Sequence, residues 1–165
     1  MSAEITLEEL LAWNQESAVF WKAHLEANPK LLELPCGIGE TANVQEFVRH
    51  IWGVELRWGQ RIAALPVTDK ERLPTGPLEA LFGLHIKAVE IYRSMLNSPA
   101  LAWDETVTLE MPWMGQKTLT ASRRKIAAHA LFHSQRHWAQ LATLVRAADF
   151  PSKFRGDLLF SSALR

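Results

Sequence analysis

Apolar residues recur at spacings of three and four over four long stretches of this chain, and proline or glycine closes each stretch. That period predicts helices. In the first, over residues 6–27, Leu7, Leu10, Leu11, Ala18, Phe20, Trp21 and Leu25 mark the buried side, and Thr6 with Glu9 makes a capping-box pattern at the start. Residues 28–42 form a connector with Pro29, Pro35, Gly37 and Gly39. The second helix is expected to begin near Thr41 or Asn43, where Asn43 and Glu46 form another capping box. It carries Phe47, Ile51, Val54, Trp58 and Ile62 before Pro66 ends it. After a polar loop over residues 67–74 comes the third, from Pro77 to about Leu96, with Thr75 as its expected N-cap. Leu78, Leu81, Phe82, His85, Val89 and Tyr92 lie on one side of it, and Asn97-Ser98-Pro99 ends it. The fourth is the longest, from about Ala121 to Ala148. A final short helix is expected over residues 156–164.

Between Trp103 and Thr120 the helical period is lost. Residues 106–110 and 117–120 read as two short strands around a turn at Gly115. The chain contains no internal repeat, low-complexity stretch or obvious domain linker. The pattern predicts an all-α fold: a single domain over residues 1–165, built as a four-helix bundle with a short irregular or hairpin excursion before the last long helix.

Composition narrows the function. A chain of 165 residues with 48% hydrophobic and 22% charged residues can bury a core without disulfides. Lysine plus arginine equals aspartate plus glutamate at 18 each, a poor balance for a nucleic-acid partner, which calls for a basic face. Lys117, Arg123, Arg124 and Lys125 form the only dense basic run, read as a solvated helix start. The single cysteine, Cys36, excludes an intramolecular disulfide and a cysteine-rich zinc site, and nothing near it suggests an activated thiolate. No apolar leader and no run of about 18 apolar residues is present, so a cytoplasmic protein with no membrane partner is expected.

The candidate chemistry lies in the histidines. His129, His133 and His137 are spaced by four, which places neighbouring imidazoles one turn apart on one helix face, with Cβ atoms about 5–6 Å apart. His133 and His137 share that face with Ile126, Ala130, Leu141 and Leu144. Imidazoles aimed at a core need partners for their nitrogens, and a metal ion shared by a His-x-x-x-His pair supplies one. His50, flanked by Phe47, Ile51 and Val54, is the best third ligand from another helix. Three imidazoles leave a coordination position for water or substrate. They do not by themselves distinguish zinc, nickel, iron and copper. His24 is expected to be exposed, and His85 to be a core or pocket residue.

The segment from His129 through His133 and His137 to Gln140 resembles the fourth-helix signature of the DinB/YfiT-like superfamily, and residues 43–52 around His50 resemble its second-helix segment. Residues 111–120, and Asp149-Phe-Pro with the Gly156-Asp-Leu-Leu-Phe tail, are similar to the family's variable stretch and tail, so the likeness spans nearly the whole chain. Trp138-Ala139 stands where the family commonly has Arg-Gly. The resemblance implies an up-down, DinB-like four-helix bundle, often a homodimer, with one divalent transition metal, commonly zinc or nickel, held by His50, His133 and His137. His129 falls on the motif's first histidine, as a pocket-lining or supporting residue or as a replacement for one of the pair. Gln140 would orient a ligand, and Trp58 and Trp138 would shape the pocket.

By that resemblance, the expected function is a metal-dependent enzyme that transfers or isomerises a small-molecule substrate using a low-molecular-weight thiol. A hydrolase activating water is one alternative, with Glu46 or Glu55 as the nearest carboxylates in sequence. The other is a non-catalytic metal-binding stress-response protein.

Overall fold

The computed structural model describes residues 4–111, 115 and 117–163. It is mostly helical, with α1 (Leu7–Ala27), α2 (Val44–Ile62), α3 (Leu78–Leu96) and α4 (Arg123–Ala147). It is not wholly α: β1 (Thr106–Met111) and β2 (Lys117–Ser122) pair antiparallel, from Thr106 opposite Ser122 to Met111 opposite Lys117. Among the described residues, no helix is long and apolar enough to cross a membrane.

The helix starts follow local chemistry. The Glu9 amide donates to Thr6 Oγ1 (3.1 Å) while the Thr6 amide donates to the Glu9 carboxylate (2.7 Å), a reciprocal cap worth about 1 kcal/mol. At α2 the Glu46 amide donates to Asn43 Oδ1, but the Glu46 carboxylate reaches back to the Ala42 amide (2.8 Å). Thr75 does not cap α3. The extended Pro77 stands directly before Leu78, and the Thr75 carbonyl instead accepts from Gln45 Nε2 (2.7 Å). Ser122 caps α4, which starts after Ala121 because Ala121 and Ser122 are still paired in β2. The expected C-terminal helix is reduced to a 3₁₀ turn, Leu158–Phe160. Leu159 and Phe160 are 87% and 55% exposed, and the partial packing of Leu158 and Ala163 on the core is too small an apolar face to offset helix nucleation; Leu164 lies outside the described residues.

Helix directions follow from which residues meet. Trp13 meets Phe132, Ser17 meets Gln135 and Trp21 meets Trp138, so α1 and α4 run the same way. His50 lies beside His137 and Trp58 beside His129, so α2 runs against α4. Trp52 meets Phe82, Glu55 meets His85 and Gly59 faces Tyr92, so α2 and α3 are parallel. The order is therefore up, down, down, up, which corrects the simple up-down alternation that the resemblance implies.

The reason lies in the linker over residues 63–77. It returns along α2 as a strap instead of turning α3 back. Thr68 and Gln60 exchange two hydrogen bonds of 2.9 Å. The Arg49 guanidinium donates to the carbonyls of Lys70, Leu73 and Pro74, and Gln45 reaches those of Thr75 and Gly76. Leu73 packs so tightly on Gly53 that a Cβ there would sit 2.6 Å from its Cδ1. A linker of that length can span α2, because extended chain advances about 3.3 Å per residue against 1.5 Å in a helix.

The core is rich in tryptophan. Trp21, Trp52 and Trp138 are fully buried, with Trp138 stacked on Trp21 at 5.9 Å and edge-on to Trp52 at 5.6 Å. Burying an apolar side chain of this kind contributes roughly 1.5–3 kcal/mol. A polar layer joins α1 to α4, where Gln135 bonds Ser17 and Asn14. The basic run at the start of α4 is partly neutralised: Arg123 pairs with Glu105, and Arg124 Nε lies 3.0 Å from Asp104.

Candidate metal centre

The facing sides of α2 and α4 bring His50, His133 and His137 together. One ring nitrogen from each lies within 4.8 Å of the others. His133 and His137 are one turn apart on α4, with ring centroids 4.3 Å apart and Nε2 atoms 3.1 Å apart. His50 comes from α2, with its ring 5.4 Å from His133 and 5.2 Å from His137. Phe47, one turn before His50, forms the inner wall: it stacks on His50 and meets His137 edge-on at 5.1 Å.

Gln140 fixes the tautomer of His137. Its Oε1 accepts from His137 Nδ1 at 2.6 Å, which leaves the His137 Nε2 lone pair directed at His133. Two facing Nε2 atoms need either one proton between them or a shared cation. With the proton on His133 Nε2, His133 Nδ1 is a buried lone pair without a partner among the described residues. A cation accepting both Nε2 lone pairs would make that Nδ1 a donor.

The surroundings keep the imidazoles neutral. Burial, reinforced by His137 and then by the charges of Lys70, Arg136 and Arg57, pushes the His50 pKa down to about 4. Burial, with His137, His50, Arg136 and His129 adding to it, pushes His133 down to about 3. His137 is also lowered by burial, against the opposing bond from Gln140. Neutral imidazole is the form that ligates metal, so no proton need be displaced at neutral pH. The donor set fits a borderline transition-metal ion. His50 and His133 are only half-buried, so the cluster is not sealed.

The other residues singled out from the sequence are placed differently. His129 is exposed and contacts His133 (6.2 Å) and Trp58 (5.8 Å), flanking the trio. Trp58 is buried, with the Arg61 guanidinium 5.4 Å from its ring centre. Trp138 turns its ring to Trp21 and Trp52 in the core. His24 is half-buried instead of exposed, because Phe20 and Trp21 pack on its ring. His85 is core, bonded to Glu55. Glu46 is occupied in the α2 cap, and Glu55 is bonded to His85 and Ser134. A cleft of about 410 Å³ lined by Leu65, Ile91 and Met95 includes none of the three histidines.

The sequence reading missed Phe47 as a wall and the cations Arg57 and Arg136 beside the trio. A signal for the cations was present: Arg57 follows His50 by two helical turns, and Arg136 lies between His133 and His137. A scan of protein-family models finds no match to this chain, and a search of curated proteins finds none either.

Proposed function

We propose that this chain is a metalloprotein in which His50, His133 and His137 hold one divalent transition metal, zinc or nickel. We further propose that it is an enzyme transferring or isomerising a small substrate with a low-molecular-weight thiol. The observation that carries the metal reading is the convergence of three imidazole nitrogens within 4.8 Å, drawn from two facing helices. The thiol reading draws its support from the resemblance of His129 to Gln140 to the DinB/YfiT-like signature, and a four-helix bundle is compatible with it.

A divalent ion in such a site supplies Lewis acidity, which holds a thiol as its thiolate at neutral pH. The protein's own groups prepare for that. Burial keeps His50 and His133 unprotonated, Gln140 holds the His137 ring, and Phe47 closes the inner side to water. The half-buried state of His50 and His133 supports access by a small molecule over a sealed structural site. Hydrolysis has less support, because Glu46 and Glu55 are both engaged elsewhere and neither is free as a base.

Metal content of the purified protein tests the reading, by mass spectrometry on the wild type and a His133→Ala/His137→Ala variant. About one equivalent in the wild type and none in the folded variant is expected. A wild type that takes up no transition metal after reconstitution would overturn it.

A further inference from the structure

Charge around the trio narrows what it takes. Arg57 follows His50 by seven residues on α2, two turns along nearly the same line, and Arg61 continues that line one turn on. On α4, Arg136 adjoins His137 and follows His133 by three residues, at the level of the trio itself. Because Trp58 meets His129 while His50 meets His133 and His137, the two lines face one another along antiparallel helices. Neither Arg57 nor Arg136 has an ion-pair partner among the described residues, and Arg57 Nε is buried without a hydrogen bond. The strap brings a third cation, Lys70, whose charge acts on His50 and whose own partner is Glu40 at 3.7 Å.

This rim is unusual for a place that is to hold a cation. Three neutral imidazoles cancel none of a divalent ion's charge, and the flanking arginines add to it. Such a site is balanced only when what occupies the remaining position, and what lies over the rim, is anionic.

We propose that the site takes an anionic small thiol, one carrying a carboxylate, with Arg57 and Arg136 receiving its negative group. This rests on the metal and thiol readings above. By linkage, the anion and the metal strengthen each other's binding.

Three thiols of similar size and different charge test it: 3-mercaptopropionate, 2-mercaptoethanol and cysteamine, titrated into the cobalt(II)-substituted protein at one pH and followed by the cobalt visible bands. The expected order is 3-mercaptopropionate tightest, by on the order of tenfold over 2-mercaptoethanol, with cysteamine weakest. In Arg136→Gln, an exposed position, and in Arg57→Gln/Arg136→Gln the gap should narrow with cobalt content unchanged. Equal binding of the three thiols to the cobalt protein would overturn the anion proposal and leave the metal reading standing. So would a preference undiminished in both variants, which would mean that the carboxylate chelates the cobalt itself. A protein that takes no cobalt, zinc or nickel would overturn both.

Discussion

Glu55 of α2 accepts a hydrogen bond from His85 Nδ1 of α3 at 3.1 Å, with both side chains buried. Ser134 of α4 donates to the same carboxylate at 3.4 Å, so one residue ties three helices. Burial, with the Glu55 charge adding to it, raises the neighbouring Tyr92 hydroxyl well above its ordinary pKa. A buried carboxylate stripped of its partner is costly: His85→Leu should lower stability by roughly 3–5 kcal/mol. Replacing both, as Glu55→Leu/His85→Leu, should cost less than His85→Leu alone, because no orphaned acid remains. Urea unfolding of the three proteins decides the point. A double variant at least as unstable as the single would show that the pair stabilises beyond satisfying its own polar groups.

Gln140 and His129 bracket the trio along α4, and they should behave differently. Gln140 is exposed yet holds the His137 ring, so Gln140→Leu should leave the fold intact and weaken metal affinity by about 10–100-fold. His129→Ala should retain the metal, because His129 is not in the converging group. Competition with a chromophoric chelator measures both. Metal lost from His129→Ala and kept by His50→Ala would reassign the third ligand.

Acid should destabilise the metal-free protein through the same imidazoles. Unfolded, each takes up a proton near its ordinary value of 6.5; folded, His50 and His133 resist until about pH 4 and 3. Between those limits the unfolded chain binds more protons, so stability is full above pH 6.5 and falls as the pH drops toward 3. Urea midpoints at neutral pH and at pH 5 should therefore differ more for the wild type than for His50→Leu/His133→Leu. Equal acid sensitivity in the two would mean that other groups govern it.

The helices and the facing histidines were legible because they are local or periodic facts. Thr6 with Glu9 and Asn43 with Glu46 announce helix starts within four residues, and the stripe of apolar residues orients α4. The direction of α3 was not legible: it depends on Arg49 and Gln45 gripping the carbonyls of a linker, and any side-chain sequence supplies carbonyls. Thr75 failed as a cap for a related reason, since Pro77 intervenes before the first turn. The rim was hidden behind a net charge of zero, an average over the chain that says nothing of where Arg57 and Arg136 gather. Trp138 reads equally as core or pocket from its spacing, and only its neighbours Trp21 and Trp52 distinguish the two.

All three imidazoles come from α2 and α4, and between those helices the chain lays down the strap, α3 and both strands. An ion held there is a clasp across half the polypeptide, joining segments that move independently in the unfolded chain. Closing so long a loop carries an entropic cost that grows only slowly with its length, so one coordination sphere can restrain the whole intervening stretch. Metal loss would then be read far from the histidines, as faster amide exchange in α3 and along the strap, while the contacts of α1 with α4 keep their protection.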